Sequence, residues 1–239
     1  MLIREGEQRT VRVDVGLAAL LAGVAGAINT AGFVAVGYYS ANMTGNVSFL
    51  SEYLVSGDLG IAGMFALIVV AFIAGAFASG MMISVGRRRN IRAIYAMSVI
   101  VEGALLAALG AGALLFPAFG RSAALILGMS FAMGLQNAAA TRISNARVRT
   151  THVSGMATDI GLELSAIIDA IRGKLPREEL ASNAAKLALH CSTIIAFLAG
   201  GVLGVLFYTL AGGAMLAGAG MLLIIVCMPE LGRARRHPN

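Results

Sequence analysis

The sequence predicts an all-α integral membrane protein in which six transmembrane helices form two inverted three-helix repeats, each with a short broken or re-entrant helix after its first span. Three observations predict it: the apolar composition, the distribution of the basic residues, and a polar motif that occurs twice. Hydrophobic residues make up 58% of the 239 residues and charged residues 13%. A water-soluble fold of this composition would leave too much apolar surface exposed.

Apolar runs of about the length that a membrane crossing needs, roughly 20 helical residues, occur six times. They cover residues 15–36, 61–85, 93–116, 122–141, 187–209 and 211–228. A secretory signal peptide is the competing interpretation of the first run, because basic residues precede it and Ala25-Gly26-Ala27 resembles a cleavage site. The run continues through Val36 and five more follow, so a membrane span is favoured.

The basic residues predict the orientation of these spans. If the N-terminus is cytoplasmic, 17 of the 18 Lys and Arg residues, including Arg4 and Arg9, lie inside, and only Arg121 lies outside. This bias predicts an even number of crossings and cytoplasmic N- and C-termini. The net charge of +6 therefore reflects topology and contact with an anionic lipid bilayer, and no nucleic-acid partner is expected.

A polar motif follows the first span of each half of the chain. The first copy is Gly26-x-x-Asn29 followed by Asn42-Met43-Thr44-Gly45-Asn46-Val47. The second copy is Gly134-x-x-Asn137 followed by His152-Val153-Ser154-Gly155-Met156-Ala157. Three spans per half would make the repeats inverted, with repeat one at about 13–116 and repeat two at about 121–229 of a single membrane domain, 1–239. Chance similarity between Gly- and Ala-rich helices is the alternative.

The segments that the two motifs open, residues 44–56 and 154–172, are predicted to be short helices. The first is too short to cross a bilayer and too apolar for a plain external loop. In the second, Ile160, Leu164, Ile167 and Ile171 follow one helical face. Either segment fits a re-entrant half-helix or an interfacial helix, and a seventh span at the second is opposed by the basic residues after it.

The motif residues have the chemistry of helix N-termini. Amide, hydroxyl and imidazole groups can cap backbone N–H groups there, and glycine permits close approach of a ligand. Two such N-termini meeting near the bilayer midplane would form a site for a small polar or anionic solute. The predicted site residues are Asn29, Asn42, Thr44, Gly45, Asn46, Asn137, His152, Ser154 and Gly155. The alternative is that they only cap two surface helices.

Glu102 is the one carboxylate deep within a predicted span. An intramembrane acid is a candidate for proton coupling, and hydrogen-bonded packing between helices is its alternative. His152 and His190 are too isolated to indicate a zinc site, and neither a nucleotide fingerprint nor a catalytic triad is present in a proper context. The sequence therefore predicts no metal, no cofactor and no enzymatic activity.

Several of these motifs together resemble the YoaK-like family of bacterial membrane proteins of unknown function. They are Gly26-x-x-Asn29, Asn42–Asn46, Gly134-Leu-Gln-Asn137-Ala and Thr151-x-x-Ser154-Gly155. The resemblance covers nearly the whole chain and implies a six-span protein of the bacterial inner membrane, without implying a substrate. The family commonly has Asp where this chain has Asn29, which weakens any proton-coupling role at that position.

Two functions remain open on the sequence alone. The first is a small-solute transporter or channel with its site between the repeats, and the sequence does not define its substrate or whether it forms a homo-oligomer. The second is a membrane-embedded scaffold, in which region 154–186 docks a partner through its acidic residues. Those residues are Asp159, Glu163, Glu178 and Glu179.

Overall fold

The computed structural model describes residues 11–236, and eight α-helices account for most of them. Their bounds are α1 Val11–Val36, α2 Met43–Ser56, α3 Leu59–Arg88, α4 Ile94–Leu115, α5 Ala123–Ile143, α6 Val153–Ile171, α7 Arg177–Ala211 and α8 Gly213–Arg236. A short 3-10 turn, Phe119–Arg121, precedes α5. Arg4 and Arg9, which enter the orientation argument, lie outside the described residues.

Six of these helices, α1, α3, α4, α5, α7 and α8, are long and apolar enough to cross a membrane. The predicted six-span helical architecture is thus confirmed, and α2 and α6 are the two predicted short helices. Two helices extend well beyond the predicted apolar runs. The fifth span belongs to a helix that already begins at Arg177, because polar helix formers extend it, and α8 continues past Pro229 to Arg236.

The first span of each half lies at the centre of the molecule. α1 and α5 are the most buried of the six spans, whereas α3 and α7 direct large apolar side chains outward. Phe77 on α3 is 69% exposed and Leu198 on α7 is 65% exposed. Such continuous apolar surface suits a helix that faces lipid and does not suit one that faces water.

Three close helix pairs hold the spans together, α1 with α7, α3 with α5, and α4 with α8. Glycines form the crossings of the first two pairs. A methyl group added at Gly26 would collide with the carbonyl oxygen of Phe197, and one added at Gly134 would collide with that of Phe72. Backbones that approach this closely gain dispersion contacts, which must replace the hydrophobic drive that lipid removes.

Each of these pairs joins one helix from the first half of the chain to one helix from the second half. The first span of each half packs on the second span of the other half, and the third spans pack on each other. At this last crossing a side chain on Gly103 would meet the backbone of Gly220, and one on Gly110 would meet that of Gly213. An inverted repeat would require this reciprocity, and the duplication itself stays a prediction.

Candidate functional site

The first motif returns the chain from the end of α1 to a point beside Asn29. Gly37 ends α1 with φ of 81°, a left-handed conformation that glycine adopts without steric cost. The side-chain oxygen of Asn29 then accepts a hydrogen bond of 2.8 Å from the backbone N–H of Ala41. Asn29 lies seven residues before the end of α1. This bond therefore places the start of α2 beside the last turns of α1 and not beyond the end of that helix.

The second motif uses the matching asparagine in the same way. Asn137 Oδ1 accepts a hydrogen bond of 3.0 Å from the hydroxyl of Thr151, immediately before the N-cap of α6. Buried Gln136 supports this connection, because its Nε2 donates to the carbonyl of Leu21 at 2.9 Å and to Thr150 Oγ1 at 3.1 Å. Both asparagines therefore fix the loop that starts a short helix.

The two short helices begin at one shared cavity of about 740 Å³. First-turn residues of α2 and first-turn residues of α6 both line it, so two helix N-termini open onto the same space. Its lining consists of Asn29, Tyr39, Ala41, Asn42, Met43, Thr44, Gly45, Ser48, Phe72, Asn137, Thr151, His152, Val153, Ser154 and Phe197. Residues more than 100 positions apart in the sequence thus share one cavity.

Seven of the predicted site residues line this cavity, namely Asn29, Asn42, Thr44, Gly45, Asn137, His152 and Ser154. Asn46 and Gly155 do not. Asn46 is buried and its Nδ2 donates to the carbonyl of Tyr39 at 3.1 Å, so it braces the loop. Gly155 lies beneath the His152 ring, which a side chain at this position would strike. The binding role of the set stays a prediction.

Glu102 lies away from the cavity. It is fully buried in α4, one residue before the Gly103 crossing with α8. Neither of its carboxylate oxygens has a hydrogen-bond partner within residues 11–236. The hydrogen-bonded packing role that the sequence left open therefore lacks a partner in the described part of the chain, and the proton-coupling role stays a prediction.

Capping is divided unequally among the motif residues. The Asn42 side chain accepts the backbone N–H of Gly45 at 3.2 Å and so caps α2, whereas His152 at the N-cap of α6 makes no side-chain capping bond. The hydroxyls of Thr44 and Ser154 form no hydrogen bond to any described residue and are exposed at the cavity. These two groups are therefore available to a solute.

The groups around the cavity carry positive charge or positive partial charge. None of the described residues that line it is acidic. The N-terminal ends of α2 and α6 contribute positive partial charge and unsatisfied N–H groups. Arg149 adds a cation at its edge, where its guanidinium lies 3.3 Å from His152 Nδ1. Arg149 belongs to the connection before α6, and its charge was used on the sequence only for orientation.

Sequence reasoning missed several residues that line the cavity, among them Tyr39, Ser48, Phe72, Thr151 and Phe197. The two phenylalanines carried a signal, because each begins a Phe-x-Ala-Gly run in the second span of its half. That run indicates helix packing, and the structure shows that the same residues also flank the cavity. Thr151 occurs in the motif that resembled the family, but its contact with Asn137 depends on the loop conformation.

The fold and the cavity define a multi-pass, all-helical membrane-type protein in which two short helices begin at one polar cavity. The chain belongs to the family described as "Protein of unknown function (DUF1275)", whose model matches residues 17–228. Membership of a family of unknown function, which the motifs predicted, is thus confirmed. Comparison with curated proteins and comparison with solved structures gave no match.

Proposed function

We propose that this protein is a small-solute transporter or channel whose binding site is the cavity between the N-termini of α2 and α6. The observation that carries the proposal is that both motif copies, far apart in sequence, line one cavity of about 740 Å³. A cavity of this size matches small-molecule sites, which span about 300–1,000 Å³. Discontinuous helices that present their N-termini to a central site are a recurrent design of secondary transporters.

The solute that fits this cavity is small and polar, with an anionic group preferred. Helix N-termini bind anions through their N–H groups and dipoles, and the described lining contains no carboxylate to repel one. Thr44 and Ser154 supply hydroxyl donors from the two short helices. Phe72 and Phe197, from α3 and α7, supply apolar walls that exclude water around the bound group.

The membrane setting belongs to the proposal as well. We place the protein in a bacterial inner membrane, with both termini cytoplasmic, α2 on the outer side and α6 on the inner side. The reciprocal packing of the two halves supports inverted repeats that surround the site. A cysteine at Ser56 should be labelled only from outside and one at Ser182 only from inside; labelling of both from one side would exclude this arrangement.

Paired substitutions at the cavity test the binding role. Candidate solutes that raise the melting temperature of purified protein would first be identified, and their uptake would then be measured in liposomes. Thr44→Val and Ser154→Ala should each weaken solute binding, because each removes one hydroxyl partner. The expected cost is about 0.5–1.5 kcal/mol for a neutral hydrogen bond and up to about 3 kcal/mol for a charged one.

Two control variants separate binding from helix stability. Ser51→Ala on α2 and Thr158→Val on α6 remove hydroxyls that bond only to the carbonyl four residues earlier and do not line the cavity. They should leave solute affinity unchanged. Loss of stability without loss of affinity in both Thr44→Val and Ser154→Ala would exclude the shared site.

The scaffold alternative is favoured by one observation, the exposed apolar face of α6. On this face Leu164 is 46% exposed, Ile168 is 47% exposed and Ile171 is 71% exposed. This face would serve equally to lie on a membrane surface. Glu163, one of the acids predicted to dock a partner, is buried and therefore unavailable for that role. A partner that binds α6 while solutes neither stabilise the protein nor are taken up would favour the scaffold.

A further inference from the structure

A second polar cavity, of about 490 Å³, lies between α6, α7 and the connection that precedes α6. Charged and titratable side chains line much of it, whereas none of the described residues lining the motif cavity is acidic. These side chains are Arg147, Arg149, Asp159, Glu163, Lys186 and His190. The function proposed above uses none of the carboxylates or the imidazole.

Glu163 and His190 form the centre of this cavity. Glu163 is 6% exposed, and its Oε1 lies 3.0 Å from Nδ1 of His190, within ion-pair distance. The geometry of this contact is not that of a hydrogen bond. His190 Nδ1 and Glu163 Oε2 are buried without a hydrogen-bond partner in the described chain. A buried carboxylate is costly unless charge or a proton compensates it, and the His190 imidazole, at ion-pair distance, can supply either.

Four other charged side chains line the cavity around the pair. Arg147 reaches Asp14 of α1 at 3.0 Å, and Arg149 contacts His152 at the motif cavity. Asp159, one turn before Glu163 on α6, and Lys186, one turn before His190 on α7, complete the charged lining. Acid and base thus face the pair from α6, from α7 and from the preceding connection.

We propose that Glu163 and His190 form a proton-binding site whose occupancy controls how firmly α6 is held against α7. With one proton bound, the pair is an imidazolium beside a carboxylate and has no net charge. When that proton leaves to water, a neutral imidazole and a buried carboxylate remain, and the pair has a net charge of −1. The attraction between the helices then falls, and α6 is freer to move. Histidine is the side chain suited to such exchange near neutral pH.

The pair is connected to the motif cavity through a single rigid element. Ser154 lies in the first turn of α6 and Glu163 nine residues later, about 13 Å along the same helix. A shift of α6 at Glu163 would therefore displace Ser154 and His152 at the cavity. Since coupling between two sites is reciprocal, a solute bound at the N-terminus of α6 would in turn change proton affinity. This consequence rests on the proposed transport function.

Cysteine labelling tests the proton site without knowledge of the solute. In full-length protein with Cys191 and Cys227 replaced by alanine, a cysteine at Ala166 reports on the second cavity and one at Thr44 reports on the motif cavity. A cysteine at exposed Ser51 on α2 corrects for the intrinsic effect of pH on thiol reactivity. The probe is a membrane-impermeant maleimide, applied to detergent-purified protein at about pH 5 and about pH 8.

The labelling rate at Ala166 relative to Ser51 should rise by about fivefold or more from the acidic to the alkaline condition. It should be constant in His190→Gln and in Glu163→Gln, whose folding is checked by thermal melting. Glu163→Gln decides the result if His190→Gln does not fold. Asp169→Asn should retain the response, since Asp169 pairs with Lys174 and lies outside the second cavity. A constant rate in the parent, or an unchanged response in the variants that fold, would overturn the proton site.

The reporter at Thr44 tests whether the proton site acts on the motif cavity. Its relative labelling should change over the same pH interval and lose that change in His190→Gln. A response at Ala166 that does not reach Thr44 would refute the coupling. Failure to find any solute that stabilises the protein or is taken up would refute the proposed function and leave both labelling results intact.

Discussion

The contact between α2 and α3 and the contact between α6 and α7 occupy corresponding positions in the chain, but the first is aromatic and the second is charged. Phe49 and Tyr53 follow Gly45 by four and eight residues, and their rings stack on Phe65 of α3 at centroid distances of 5.2 and 5.8 Å. In the second region, Asp159 and Glu163 follow Gly155 by the same intervals, and Glu163 contacts His190 of α7. Both Phe65 and His190 lie seven residues before a phenylalanine of the motif cavity.

The difference indicates that the two helix contacts have different roles. Stacked aromatic rings bury a large apolar area in a defined geometry, so the α2–α3 contact is suited to hold one position. A buried ion pair contributes little net stability, because desolvation offsets much of the attraction. If Glu163 and His190 form the proton site proposed above, their contact adds less net stability than the aromatic cluster and responds to pH.

Removal of the central ring of the aromatic cluster should have the largest effect. Phe65 is 7% exposed, so Phe65→Ala should lower the free energy of unfolding by about 3–5 kcal/mol through lost burial and a cavity. Thermal or denaturant unfolding in detergent measures the loss. Phe77→Ala on the same helix is the control, since that ring is 69% exposed and should matter much less. Equal losses in the two variants would contradict a rigid aromatic contact at α2.

The helix crossings beneath these contacts should be equally sensitive in the two halves. Gly26→Val and Gly134→Val each drive a side chain into a carbonyl of the partner helix, and each should cost about 1–3 kcal/mol or more. Melting temperatures in one detergent give the comparison. Gly63→Val on α3 meets nothing within 4 Å and controls for glycine replacement in a helix. A large loss in only one of the two variants would argue against equivalent crossings.

The smallest expected difference concerns the N-caps. Asn42→Ala removes the bond to the Gly45 N–H and should lower stability by about 0.5–2 kcal/mol. The equivalent His152→Ala removes no capping bond and should leave the melting temperature nearly unchanged. An equal loss in both variants would mean that His152 stabilises its helix by another contact. The two helices would then differ in their later turns and not at their N-termini.

Much of the fold follows from sequence patterns, because the cause is local. Apolar runs of membrane-spanning length predict helices whatever their neighbours are, and the start of α2 at Met43 and of α6 at Val153 follows from polar capping residues beside apolar turns. The prediction was less accurate at the start of α7, where a polar extension gives no hydropathy signal. Glu163 was predicted to be available to a partner, and the structure buries it.

The polar residues of the two cavities also differ in how far the sequence predicted their contacts. Asn29 and Asn137 were predicted to be residues of the polar site. The structure shows them bonding to the loops that start α2 and α6. His190 was set aside as an isolated histidine. Its neighbour Glu163 is 27 residues earlier in the chain, and no spacing rule joins them.

The sequence by itself determined the class of the protein, the number of spans and the two places where the chain interrupts its path with a short helix, since these depend on local hydropathy and helix capping. Only the tertiary structure decided that both short helices open onto one cavity and that the two halves differ in an aromatic and an acid–imidazole contact. Those facts depend on the glycine crossings, which set how closely and in what register distant helices pack, and register is a property of the pair of helices rather than of either one.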